Sequence, residues 1–144
     1  MKILVTGAYG QLGNELKDLS INFPGWEFIF TDADTLDITI EKEVDIFLKK
    51  NNPGFVINCA AYTAVDKAET DHENAKRINS DAPGILANAA KNVSAKIIQI
   101  STDYVFEGNG FLPLKESDTV NPVGVYGKTK LEGERNCFHS DSET

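Results

Sequence analysis

The chain has 144 residues, of which 41% are hydrophobic and 25% are charged, a composition typical of one globular domain with its own core. A formal net charge of −8, with no basic cluster to offset it, excludes nucleic acid as a partner. No apolar stretch is long enough to span a bilayer, which excludes an integral membrane protein.

The first thirteen residues predict a strand, a glycine turn and the start of a helix. Residues 2–6 are largely apolar, and Gly7, Gly10 and Gly13 follow them without a spacer. Gly7 allows a sharp turn, Gly10 lets a pyrophosphate approach the backbone, and Gly13 lets the helix pack closely on the sheet. The free N–H groups at the helix start would face the phosphates. The pattern predicts a dinucleotide site, although a G-x-x-G-x-x-G spacing also fits a turn that binds no ligand.

Strand and helix patterns alternate along the rest of the chain. We predict strands over residues 26–31, 36–38, 55–61 and 96–101, and helices over residues 12–21, 40–50, 82–91 and 123–137. Leu12, Leu16 and Leu19 fit one helical face, and Thr39 fits the cap of the second helix. The alternation predicts an α/β fold, a doubly wound, Rossmann-type parallel sheet with strand order 3-2-1-4-5.

The pattern stops after a helix that would ordinarily lead into another strand. We therefore expect a piece that is truncated before the later strands. In this interpretation residues 1–137 form the NAD(P)-binding domain, residues 138–144 are a polar, mobile tail, and a C-terminal substrate lobe is absent.

Asp32 ends the second predicted strand. An acidic side chain at this position accepts hydrogen bonds from the adenosine ribose and repels a 2′-phosphate, which favours NAD(H) over NADP(H). An ordinary turn aspartate is an equally good interpretation of the same residue.

Tyr126 and Lys130 are four residues apart on the last predicted helix, so both would face one site. An ammonium beside a phenol stabilises the phenolate and makes the phenol a better acid. Thr102 follows the strand over residues 96–101, where its hydroxyl can bond a substrate carbonyl oxygen. A Y-x-x-x-K spacing is common by chance, but together with the glycine turn it predicts carbonyl reduction. Hydride would come from a nicotinamide and the proton from Tyr126.

Four acidic residues follow the strand over residues 55–61: Asp66, Glu69, Asp71 and Glu73. Paired carboxylates can hold Mg²⁺. A solvated loop or helix face is the more common role of such a patch, and we favour it here.

Four stretches occur in one order over nearly the whole chain: residues 3–13, NCAAYTAVDKAE over 58–69, STDYVF over 101–106, and residues 121–134. They resemble the extended short-chain dehydrogenase/reductases, and within them the dTDP-4-dehydrorhamnose reductase family. The resemblance implies reduction of the 4-keto group of a nucleotide-sugar substrate, dTDP-4-dehydro-L-rhamnose, to dTDP-L-rhamnose. It implies NADPH or NADH as the cofactor. It also implies Mg²⁺, often at a contact between the two copies of a homodimer, with metal ligands that stay unknown.

The resemblance also implies roles for individual residues. Thr102, Tyr126 and Lys130 would be catalytic, and Thr102, Asp103 and Tyr126 would contact the sugar. Cofactor contacts are implied for the glycine turn, the strand ends and the last helix: Gly7, Gly10, Gln11, Leu12, Gly13, Asp32, Asp37, Ile38, Ala60, Ala61, Tyr62, Tyr126 and Lys130.

Two other functions stay open. One is a non-catalytic NAD(P)-binding regulatory subunit, and the other is an epimerase or dehydratase of the same superfamily. A dehydratase would need an acidic pair after Thr102, of which Asp103-Tyr104 supplies half. Because members of the resembling family are much longer, we expect the 144-residue piece to be inactive by itself.

Two observations concern location. Cys59 and Cys137 are scattered, which is typical of a reducing compartment, and no charged and apolar leader opens the chain. We therefore expect a cytoplasmic protein.

Overall fold

A computed structural model describes residues 1–108, 110 and 113–140. Its strands are β1 (Lys2–Thr6), β2 (Glu27–Phe30), β3 (Phe55–Asn58) and β4 (Lys96–Gln99). Its α-helices are α1 (Gln11–Ser20), α2 (Glu41–Asn51), α3 (Val65–Ala68), α4 (His72–Lys76), α5 (Ala82–Asn92) and α6 (Val125–Ser140). A π-helical turn (Arg77–Asp81) joins α4 to α5, and a 3₁₀ turn (Asp103–Val105) follows β4.

The four strands form one parallel sheet with the order β2-β1-β3-β4. In the middle of the sheet, Leu4 of β1 lies beside Ile29 of β2 and Val56 of β3. This is the predicted doubly wound order for these four strands, so the fold class is confirmed.

The predicted strand over residues 36–38 is wrong. Leu36 donates its N–H to the carbonyl of Asp32 at 2.8 Å, which closes a turn instead of a strand ladder. Asp37 then accepts hydrogen bonds from the backbone N–H and the hydroxyl of Thr39, at 2.9 and 2.7 Å. These local bonds compete with strand pairing. Thr39 is thereby engaged with Asp37, and the residue that precedes α2 is Ile40, so the predicted Thr39 cap is also wrong.

The main core lies on one face of the sheet. Leu4 and Val56 point into it from the strands, Val44 and Leu48 from α2, and Leu86 from α5, and all five are fully buried. The connections β1-α1-β2 and β2-α2-β3 run in opposite directions across the sheet. Right-handed crossovers therefore place α1 on the face opposite α2.

Helix α1 packs through Gly13 against the turn that follows β1, and not through a row of leucines. Gly13 is buried, whereas Leu12 is 41% exposed and Leu19 is 50% exposed. The apolar face predicted for this helix is thus wrong for two of its three leucines. Close contact at a glycine brings the helix backbone onto the chain beneath it and leaves longer side chains at the edge.

Helix α6 is longer than predicted and lies close to its neighbours. It runs to Ser140, so it includes the first residues of the predicted tail over 138–144, and residues 141–144 lie outside the described residues. Two of its glycines make the close contacts: a Cβ at Gly127 would overlap the Tyr104 carbonyl, and one at Gly133 would overlap the Asn79 carbonyl. No helix in the described part of the chain has the length and apolar character needed to cross a bilayer.

Candidate active site

A cleft of about 850 Å³ opens at the carboxyl ends of the strands. This is the edge at which doubly wound sheets bind their ligands. Most of the predicted cofactor residues line it: Gly7, Gly10, Gln11, Leu12, Asp32, Asp37, Ile38, Ala60, Ala61, Tyr126 and Lys130. The described lining does not include Gly13, Tyr62, Thr102 or Asp103.

The glycine turn forms one wall of the cleft. Gly7 has a φ of +64°, a left-handed conformation that glycine adopts without strain, and the N–H of Gly10 donates to the Gly7 carbonyl at 3.1 Å. No side chain caps the start of α1. Gly13 lies one turn inside the helix, against the backbone of Gly7 and Ala8. The turn therefore exposes backbone groups to the cleft, and Gly13 packs against the opposite side of the turn.

Asp32 joins the glycine turn to the end of β2. One carboxylate oxygen accepts the N–H of Tyr9 at 2.9 Å, and the other accepts the N–H of Ala33 at 2.8 Å. Both oxygens are already bonded to backbone, so this carboxylate holds the turn in place as well as facing the cleft.

The same end of the cleft carries Asp37 and Arg77. Hydrogen bonds from the hydroxyl and N–H of Thr39 lower the pKa of Asp37, and the positive charge of Arg77 lowers it further. Arg77 also lines the cleft and was not among the site residues predicted from the sequence. Its place depends on the π-helical turn, which no local spacing revealed.

A buried polar network lies below the floor of the cleft. The Thr6 hydroxyl donates to Oδ1 of Asn58 at 2.6 Å, and Nδ2 of Asn58 donates to Oε1 of Gln99 at 2.7 Å. Oδ1 of Asn58 also accepts the N–H of Ala60 at 3.2 Å. The network ties the ends of three strands together and holds the segment that begins at Ala60.

Asn79 holds the same segment from the other side, and sequence reasoning missed it. Its amide oxygen accepts the Tyr62 N–H at 2.8 Å, and its amide nitrogen donates to the Tyr62 carbonyl at 3.0 Å and to the Thr129 hydroxyl at 3.4 Å. Asn79 is 1% exposed. Its partners Tyr62 and Thr129 are 17 and 50 residues away in the sequence, so no local pattern could have identified it.

The acidic patch is largely engaged with protein groups. Asp71 accepts the Tyr62 hydroxyl at 3.0 Å and Nδ2 of Asn74 at 2.8 Å, and these bonds lower its pKa. An oxygen of Glu69 accepts the N–H of Val125 at 2.7 Å, at the start of α6. The residues that the structure describes contain no group of three or more His, Cys, Asp or Glu that could hold a metal ion.

Tyr126 and Lys130 both line the cleft, one helical turn apart on α6. Lys130 is 4% exposed, and its ammonium donates to the carbonyl of Ile100 at 2.5 Å. Burial lowers the pKa of Lys130, although the nearby negative charge of Glu134 acts in the opposite direction. The Tyr126 ring meets the Tyr104 ring edge to face, with 5.4 Å between centroids.

Thr102 lies next to the cleft but is engaged elsewhere. Its hydroxyl accepts the N–H of Tyr104 at 3.3 Å, and this bond caps the 3₁₀ turn. The same hydroxyl donates to a carboxylate oxygen of Asp103 at 3.2 Å. The preceding residues Ile100 and Ser101 do line the cleft. The three predicted catalytic residues are therefore neighbours, with Thr102 at the rim.

A parallel sheet, a glycine turn that opens α1, and a tyrosine and a lysine one turn apart in the same cleft define a Rossmann-type α/β domain of the short-chain dehydrogenase/reductase class. The chain belongs to the family described as the RmlD substrate binding domain, whose sequence profile matches residues 1–143.

Named relatives and solved structures are similar over nearly the whole chain. A dTDP-4-dehydrorhamnose reductase of Aggregatibacter actinomycetemcomitans is 41% identical over 134 residues, which are 93% of this chain and 46% of the relative. A crystal structure of a dTDP-4-dehydrorhamnose reductase from Clostridium acetobutylicum is 50% identical, with a TM-score of 0.94 over 96% of this chain and 49% of its own. One from Bacillus anthracis, in complex with NADP, is 36% identical, with a TM-score of 0.92 over 96% and 49%. This chain thus spans about half the length of the relatives it matches.

Proposed function

We propose that the cleft binds NADPH or NADH and that the chain serves in a reductase of the 4-keto group of dTDP-4-dehydro-L-rhamnose. The observation that carries the proposal is that Tyr126 and Lys130 share one cleft with the glycine turn of Gly7 and Gly10. The names of the similar reductases, and the NADP complex of the Bacillus anthracis protein, support the same substrate and cofactor.

The shape of the cleft fits a dinucleotide. A Cβ at Gly10 would lie 3.3 Å from the Gly7 carbonyl oxygen, a tight contact, so glycine leaves the backbone of the turn more accessible than a larger residue would. The start of α1 carries no acidic residue in its first turn, which leaves its positive dipole end free to attract phosphate. A volume of about 850 Å³ is within the range of cofactor sites. Gly10, Gln11 and Leu12 would contact the pyrophosphate, and Gly7 would shape the turn.

The adenosine end would lie at the other strand ends. Asp32, Asp37 and Ile38 line that end of the cleft, and we propose that they surround the adenosine. Ala60 and Ala61 would line the middle of the cofactor. Gly13 and Tyr62 would act indirectly, Gly13 through the glycine turn and Tyr62 through the segment that Asn79 holds.

The chemistry assigned to this chain is proton transfer. The cofactor supplies the hydride when it is bound. Tyr126 would donate the proton to the oxygen that develops negative charge, and the Lys130 ammonium would stabilise the resulting phenolate and hold the nicotinamide ribose. The Thr102 hydroxyl would bond the substrate carbonyl oxygen, for which it must turn away from Asp103, and Asp103 would then be free to contact the sugar.

We propose three further properties: assembly as a homodimer, the use of Mg²⁺ and a cytoplasmic location. The sequence resemblance to dTDP-4-dehydrorhamnose reductases and the composition of the chain support them. Because the described residues offer no group of three metal ligands, Mg²⁺ would need ligands from outside them or from a second copy.

The test is Tyr126→Phe in the protein that carries this chain together with whatever follows it in its gene. A phenylalanine keeps the ring contact with Tyr104 but has no proton to donate. We expect turnover of dTDP-4-dehydro-L-rhamnose to fall by about 10²–10⁴-fold while the dissociation constant for NADPH changes little. Lys128→Met, on the exposed side of the same helix, is the control and should keep normal turnover. Unchanged turnover in Tyr126→Phe would refute the reductase assignment. If Tyr126→Phe instead leaves an effect of the protein on a partner enzyme unchanged, that result favours the regulatory subunit.

A further inference from the structure

Two side chains of α6 hold the chain where β4 ends. The Lys130 ammonium donates to the Ile100 carbonyl, and the Ser101 hydroxyl donates to Oε1 of Glu134. Lys130 and Glu134 are four residues apart and so lie on one side of the helix. Successive residues of the strand end are thus bonded to successive turns of the helix that carries Tyr126.

This contact sets where the predicted catalytic groups lie relative to each other. Thr102 directly follows Ser101, and Lys130 is one turn before Glu134 on α6. Farther along, α6 meets the 3₁₀ turn at Gly127, where only a glycine fits against the Tyr104 backbone. A displacement of the Ser101–Glu134 contact would therefore move Thr102 relative to Lys130.

We propose that Glu134 is a positioning residue of the reaction site, which holds Ser101 so that Thr102 and the Lys130 ammonium keep a fixed relation. The inference rests on the proposed function. Glu134 does not itself line the cleft. Its proposed effect on the reaction is transmitted through Ser101 and Lys130, which do line it.

Glu134 also has an electrostatic effect on Lys130. Burial lowers the Lys130 pKa, and the negative charge of Glu134 acts in the opposite direction. Among the described residues Glu134 is the carboxylate that acts on Lys130, the Cys137 thiol is neutral because burial raises its pKa, and the end of β4 contributes the Ile100 carbonyl. A neutral residue at 134 would leave the buried ammonium with less compensation, so its pKa would fall further.

Four variants separate the two effects. Glu134→Gln keeps an oxygen that accepts from Ser101 but removes the charge, Ser101→Ala keeps the charge but removes the hydrogen bond, and Glu134→Ala removes both. The matched control is Glu132→Gln, an exposed glutamate of the same helix whose charge acts on Lys76.

The first readout is the affinity for NADPH, measured by fluorescence titration of the chain. We expect Glu134→Ala to weaken binding about tenfold, Ser101→Ala about threefold, and Glu132→Gln less than twofold, in line with the loss of one hydrogen bond to a charged group. Glu134→Gln should bind more tightly than Glu134→Ala, which is the rescue that a positioning role requires.

The second readout is the titration midpoint of Lys130, followed by NMR of its labelled side chain without cofactor. We expect the midpoint to fall in Glu134→Gln and to stay near that of the original protein in Glu132→Gln. If all variants lower only the free energy of unfolding, with unchanged NADPH affinity and an unchanged Lys130 midpoint, Glu134 is merely structural and the inference is overturned. If the original chain binds no NADPH, the proposed function fails. The Lys130 midpoint in Ser101→Ala, which keeps the Glu134 charge, then decides the inference alone, with a changed midpoint supporting the positioning role and an unchanged one overturning it.

Discussion

Replacement of Gly13 by alanine tests whether close packing of α1 at Gly13 holds the glycine turn in place. In the structure, a Cβ at Gly13 would lie 2.6 Å from Cα and 2.8 Å from the carbonyl carbon of Ala8, and it would also overlap the Gly7 carbonyl. Ordinary contacts between carbon atoms are about 3.5–4.0 Å, so α1 must move away by about 1 Å. The turn cannot yield easily, because the Ala8 N–H donates to the Thr31 carbonyl at 3.0 Å and Ala8 is 1% exposed.

Overpacking of this kind costs about 1–3 kcal/mol. Alanine has a better helix propensity than glycine by about 1 kcal/mol, which acts in the opposite direction. The three backbone contacts under 3.0 Å place this cost at the upper end of the range, so we expect a net loss of about 2 kcal/mol in the free energy of unfolding. With a denaturant slope of about 1–3 kcal/mol/M, the urea midpoint should fall by roughly 0.7–2 M.

Urea unfolding followed by circular dichroism measures this midpoint. Gly25→Ala is the matched control, because a Cβ at Gly25 meets no atom within 4 Å, and its free energy of unfolding should be unchanged to within about 0.5 kcal/mol. A Gly13→Ala protein as stable as the original would show that α1 and the turn move apart freely, and it would refute the reasoning about this contact.

Two other predictions concern buried groups. Asn58→Ala should lower the free energy of unfolding by about 2–4 kcal/mol in a urea titration, because it leaves the Thr6 hydroxyl and Gln99 without their partner. A loss below about 1 kcal/mol would mean that the network contributes little to stability. Burial raises the pKa of the Cys137 thiol from 9.0 to about 11, so above pH 9 the unfolded chain releases this proton while the folded chain keeps it. Stability should therefore fall between pH 9 and 11 by about 2–3 kcal/mol more in the original protein than in Cys137→Ala, and parallel pH profiles of the two in urea unfolding would contradict this.

The spacing of the apolar residues and the positions of the glycines and turns were enough to predict the architecture. The apolar runs that became β1, β3 and β4 are separated by helical patterns, and Gly7 to Gly13 marked the first crossover. The segment over residues 36–38 could not be assigned correctly, because an apolar-polar-apolar triplet fits both a strand and a turn. Hydrogen bonds of Asp37 with Thr39, which no pattern shows, decided in favour of the turn.

The candidate site was predictable where its residues are sequence neighbours of strand ends or share a helical face. Tyr126 and Lys130 meet that condition, and both line the cleft. Asn79 and Arg77 do not, because a π-helical turn between α4 and α5 carries both of them. It brings Arg77 to the cleft and places Asn79 against the backbone of Tyr62. Glu134 was missed because its partner, Ser101, is 33 residues away.

The most direct test of the central claim is a crystal structure of the chain soaked with NADPH. The account predicts the pyrophosphate at the turn of Gly7 and Gly10 and the nicotinamide ribose within hydrogen-bond distance of Lys130, with Tyr126 beside the ring. A cofactor bound elsewhere, or a nicotinamide turned away from Tyr126, would contradict it.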